Sequence, residues 1–121
     1  MEIDLKDDLE TLTGLSAYPF KVPQYAEYPA LTYKEMNQNR HDDSSQNESN
    51  IKNHIFDITI STPDSEQVID VKNLIVGRYE GLSGLMGNTK IFISRIMTSM
   101  PYFDEAQKNF EYNITVRFTL H

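Results

Sequence analysis

Apolar residues fall into helical and strand-like patterns along most of the chain. Leu5, Leu9 and Leu12 recur at spacings of four and three, with Ile3 near the start, while Asp4, Asp7, Asp8 and Glu10 fill the other positions. That spacing predicts an amphipathic helix over 2–13. Acidic residues in the first turn suit the helix dipole, and Gly14 is a natural stop. A second helix is expected after the segment TPDSEQ, where Thr62 or Asp64 can cap and Pro63 comes early. Val68, Val71, Ile75, Tyr79 and Leu82 follow at helical spacing, with Leu74 beside them, before Gly81 and Gly84 end the run.

Strand patterns occupy much of the remainder. Residues 18–29, YPFKVPQYAEYP, contain three prolines. Each removes a backbone donor and fixes φ, so the segment reads as an extended edge followed by a loop. Ala30–Met36 alternates moderately and predicts a strand. His54–Thr62 places Phe56, Ile58 and Ile60 on one face, the mark of a half-buried strand. Lys90–Met100 is rich in β-branched residues, but Ile91 and Ile93 are out of phase with Ile96, which a bulge near Arg95 would reconcile. The final run is the clearest: Phe110, Tyr112, Ile114, Val116, Phe118 and Leu120 alternate with polar residues. Asp104-Glu105-Ala106-Gln107 lies between the last two strands and suggests a hairpin.

The expected order is helix, short edge strand, strand, long loop, strand, helix, strand, strand. Helices covering the apolar side of such strands give an α+β fold, with a mostly antiparallel sheet of four to five strands and two helices packed on one face. The chain of 121 residues fits one domain, 1–121. Within it, Asn37–Asn53 is almost wholly polar, with Ile51 its one strongly apolar residue, and predicts a long mobile loop.

Composition narrows the function classes. With no cysteine, disulfide frameworks, thiolate metal sites and cysteine nucleophiles are excluded. No apolar run approaches the roughly 18 residues that span a bilayer, and the opening MEIDLKDDLE is too acidic for a secretory signal, so no membrane partner is expected. A net charge of −7 without a basic stripe makes specific nucleic-acid binding a poor expectation.

No constellation of residues suggests a reaction. Gly81-Leu82-Ser83-Gly84 lacks the spacing and the preceding strand of a nucleophile elbow, and GLSGLMGN lacks the lysine of a phosphate-binding loop. His41-Asp42-Asp43 are adjacent in a polar loop, a poor basis for a metal site, and neither His54 nor His121 has an obvious orienting partner. The neighbouring carboxylates Asp7-Asp8 and Asp104-Glu105 read as helix-surface and turn residues. Asn47-Glu48-Ser49 and Asn113-Ile114-Thr115 match the glycosylation sequon by chance. No catalytic residue, metal ligand or cofactor is expected. The polar face of the last strand is either a subunit contact or an ordinary solvated face.

The order and spacing of these segments resemble the tail-completion family of long-tailed phages, the lambda-type tail terminators. The resemblance runs through an N-terminal helix, Tyr18-Pro19, Val22-Pro23-Gln24 and Tyr28-Pro29 before a strand and an exposed loop. It continues with the strand of Phe56, Ile58 and Ile60, then TPDSEQ and the second helix. It ends with paired strands joined around Tyr102-Phe103-Asp104 and the run NFEYNITVRFTL. Proteins of that family form a six-membered ring on the head-proximal end of the tail tube, stop its polymerisation and present a surface for joining the filled head.

The resemblance therefore implies a non-enzymatic virion protein. Its partners would be copies of itself, the major tail tube protein and a head–tail connector, with DNA passing through the lumen without specific binding. An acidic chain suits such a lumen. The length and charge of the 37–53 loop make Arg40, Asp42, Asp43 and Glu48 candidate interface residues. A stopper or adaptor of the neck, a component of a contractile injection system, and a small ligand-binding domain or enzyme with a ferredoxin-like sheet remain alternatives.

Overall fold

A computed structural model describes residues 1–36 and 52–120. Helix α1 (Glu2–Thr13) buries Leu5 and Leu9 and ends at Gly14, whose φ of 75° lets its N–H reach the carbonyl of Glu10. Strand β1 (Ala17–Pro19) and strand β2 (Ala30–Glu35) follow, then strand β3 (Lys52–Thr62). Helix α2 (Ser65–Tyr79) is capped by Asp64, whose carboxylate accepts the N–H of Glu66 at 2.9 Å. Its inward stripe is Val68, Val71, Ile75 and Tyr79. Strands β4 (Gly84–Met86), β5 (Thr89–Asp104) and β6 (Asn109–Leu120) complete the chain.

The strands form one sheet in the order β1-β2-β3-β6-β5-β4. This corrects the expected four-to-five-stranded, mostly antiparallel sheet: the sheet has six strands, is mixed, and curves as a half-barrel. Mixing arises because residues 20–29 carry the chain back before β2 starts, so β1 runs parallel to β2 with Ala17 opposite Leu31. The sixth strand, β4, is a short hairpin arm pairing Met86 with Thr89. Its Gly84 has only Leu85 and Met86 beside it within the strand, too little apolar sequence to read as an element.

The core lies where β3 and β6 face the helices. Phe56 opposes Val116 and Ile58 opposes Ile114, all fully buried. Phe118 is the hub, edge-on to Phe56 at 6.0 Å and to Tyr79 at 5.5 Å, the favoured geometry for aromatic quadrupoles. Strand β5 departs from regular pairing twice, between Ile91 and Ile93 and between Ile96 and Thr98, the second close to the bulge expected near Arg95. Strand β3 begins at Lys52, so Lys52 and Asn53 are sheet residues; the remainder of the expected 37–53 loop lies outside the described residues.

Candidate functional site

The outer edge of β5 is covered over only part of its length. Strand β4 pairs with Thr89–Ile91, and the α2–β4 connection then exchanges two backbone bonds with Ser94, from Gly81 N–H to Ser94 O at 2.8 Å and from Ser94 N–H to Leu82 O at 2.9 Å. The buried Ser94 hydroxyl donates to the carbonyl of Tyr79 and accepts the N–H of Leu82, fixing this connection against the sheet. The Ile96 N–H donates to the Glu80 carboxylate at 2.9 Å. From Met97 to Asp104 no strand flanks β5 on that side among the described residues. Met97, Met100, Tyr102 and Phe103 are about half-exposed there, and no charged residue interrupts Ile96–Phe103. An unflanked strand with apolar side chains is a template for pairing with another chain, and the usual charged guards are missing.

Beside this edge runs a groove of about 430 Å³ between α2 and the β5–β6 hairpin. Val68 and Ile69 line it from α2, and Pro101, Tyr102, Phe110 and Tyr112 line it from the hairpin. Lys72 Nζ lies 5.3 Å from the centre of the Tyr112 ring, within cation–π range. Phe103 packs edge-on to Phe110 at 5.0 Å and braces the hairpin tip. Asp104 closes the turn by accepting the N–H groups of Ala106 at 3.0 Å and Gln107 at 3.3 Å. Glu111 also lines the groove, and burial pushes its carboxyl above its ordinary range, with nearby Asp104 adding to this against the hydrogen bond donated by Ser61.

Other polar clusters serve to join elements. Arg78 donates two hydrogen bonds to Asp8, at 2.8 and 3.1 Å, and the Tyr79 hydroxyl donates a third at 2.6 Å, tying α1 to α2. Asp4 accepts the Thr89 hydroxyl at 2.5 Å and so holds the β4–β5 turn. Asn53–Thr119, Asp57–Thr115, Thr59–Asn113 and Ser61–Glu111 bond side chain to side chain across β3 and β6. The polar side chains of the last strand are thus largely engaged with their own sheet.

His54 has a partner that its position in the sequence does not show: its Nδ1 lies 2.6 Å from Glu35 Oε2. The pair clasps β2 to β3 where the chain leaves and re-enters the sheet. Arg40, Asp42, Asp43 and Glu48, together with His41, lie outside the described residues. Among the described residues, no group of three or more His, Asp or Glu side chains is arranged to hold a metal ion. No described helix is long and apolar enough to cross a membrane. Sequence reasoning missed the free β5 edge and the groove. The uncharged run Ile96–Phe103 was the available signal for the first, and the groove has none because it arises from packing.

No protein-family model matches the chain, and no curated protein matches it at a significant level. Among solved structures, it is similar to a chain of the virion of the native gene transfer agent (GTA) particle. The TM-score is 0.66 at 12% identity, over 93% of this chain and 83% of that one. The two share a fold.

Proposed function

We propose that this chain is a structural virion protein that forms a ring at the head-proximal end of a phage tail tube. The ring ends tube polymerisation and offers a surface for joining the head. The observation that carries the reading is the β5 edge, unflanked among the described residues, where Met97, Met100, Tyr102 and Phe103 stand about half-exposed. Such a surface is suited to assembly, and a sheet with different surfaces at its two ends favours head-to-tail contacts that close by rotation. Fold likeness to a virion chain over most of the sequence supports the same reading, as does the resemblance to tail terminators.

The partners are further copies in a hexameric ring, the major tail tube protein and a head–tail connector, and the protein acts without catalysis. DNA passes through the lumen, where the net charge of −7 disfavours adhesion to phosphate. Gold-labelled antibody against the protein, viewed by electron microscopy on particles and free tails, tests the reading. Label at one end of free tails supports it. Label confined to the neck of complete particles indicates a stopper or adaptor, and unlabelled particles remove the virion role.

A further inference from the structure

The groove between α2 and the β5–β6 hairpin has a complement near the other end of the sheet. Strand β1 and the segment after it lie at the other end of the sheet, separated from β5 by β2, β3 and β6. There Phe20 is 74% and Tyr25 85% exposed, the latter the most exposed large apolar side chain among the described residues. Phe20 also has φ 70°, a region that bulky side chains rarely occupy. It is kept there by its N–H bonding to Tyr33 O at 3.0 Å and by Lys21 N–H bonding to Pro19 O at 2.8 Å. A strained backbone that holds an aromatic ring in solvent points to use of that ring.

Charge favours the match. The chain carries −7 overall, so copies repel one another across most surfaces. The 18–29 segment has only Lys21 and Glu27, and the groove lining has only Lys72 and Glu111, so each is neutral and offers one partner of each sign. The groove volume of about 430 Å³ admits an aromatic side chain, and its lining is apolar or aromatic apart from Ser65, Lys72 and Glu111. Rigid aromatic anchors entering such pockets dominate protein interfaces.

We propose that the groove seats the Phe20–Tyr25 segment of a second copy of this chain. Each copy then presents one groove and one aromatic segment, and successive copies meet head to tail along the uncharged β5 edge. The proposal rests on the ring reading above and assigns the surfaces that build the ring.

The absence of native cysteines allows a direct test. Gln24→Cys places a thiol beside Tyr25, and Ser65→Cys places one on the groove wall, both at exposed positions. Assembled particles carrying each variant are treated with a short bifunctional thiol reagent, and their tail ends are viewed in parallel. The double variant is expected to cross-link into a ladder ending at the ring size. A mixture of the two single variants should stop at dimers, and each alone should stay monomeric. Adding Tyr25→Ser, a change in an exposed side chain, should reduce cross-linking by about tenfold or more. Self-cross-linking of either single variant overturns the head-to-tail seating. So does absence of cross-links in particles whose tails still end in a ring, which leaves the ring reading standing. Absence of both ring and cross-links removes the two together.

Discussion

The Tyr79 hydroxyl donates a 2.6 Å hydrogen bond to the carboxylate of Asp8, joining residues 71 positions apart in sequence. The Tyr79 side chain is fully buried, and burial, reinforced by the hydrogen bond to Asp8 and its charge, holds the phenol well above its ordinary ionisation range. It therefore remains a donor at every pH of interest. Asp8→Ala leaves this hydroxyl and the half-buried Arg78 guanidinium without their acceptor. A loss of about 2–4 kcal/mol is expected in chemical denaturation. Tyr79→Phe removes one donor and keeps the Arg78 pair, so its cost should be about 1 kcal/mol. Equal costs for the two would contradict the clamp.

Two glycines should respond in opposite directions. Gly87 turns the chain between β4 and β5 with φ 60°, and a Cβ there would collide with the Asp4 carboxylate. Gly87→Ala is expected to destabilise by about 1–3 kcal/mol through backbone strain and displacement of Asp4. Gly77 lies within α2 with open space around its Cβ position. Gly77→Ala should stabilise by about 0.5–1 kcal/mol. Thermal unfolding of the two variants reads both signs at once.

Two carboxylates give stability opposite dependence on pH. Burial raises the Glu10 carboxyl, but the Ala17 N–H at 2.9 Å and Lys6 at 3.0 Å outweigh it and leave the group below its ordinary 4.5. A group lowered on folding contributes stability above its unfolded value and loses it as pH falls through the folded one. Glu111 is shifted the other way, so its contribution is full below 4.5 and is lost as pH rises through the raised value. Glu111→Gln should therefore raise the melting temperature at neutral pH and converge with the parent in acid. Glu10→Gln should lower it at neutral pH and flatten the acid limb of the stability profile.

A charge on the free edge should separate assembly from folding. Met100 is half-exposed on β5, so Met100→Lys should change monomer stability by no more than about 0.5 kcal/mol. Lysine on an unflanked strand opposes edge pairing, so under the proposed ring role capped tails should be lost. Normal numbers of infectious particles with this substitution would contradict a role for the edge.

How much of this was legible in the sequence depended on how local each feature is. The alternation of Ile114, Val116 and Phe118 and the spacing of Leu5 and Leu9 mark a strand and a helix because one face of each is buried. Asp64 is recognisable as a cap because its bond reaches only two residues ahead. Strand β4 was missed although Gly87-Asn88 between paired residues is a two-residue hairpin signal. The parallel pairing of Ala17 with Leu31 depends on where the intervening segment turns, which the prolines around it do not specify. The His54–Glu35 pair and the groove lined by Tyr102 join residues distant in sequence. They follow from sheet order, which no local pattern encodes.

The proposed ring-forming terminator role is tested most directly by electron microscopy of particles made after deletion of this gene from a phage or prophage that carries it. Overlong, headless tails of variable length are expected. Tails of normal length that fail to join heads, or intact infectious particles, would contradict the role.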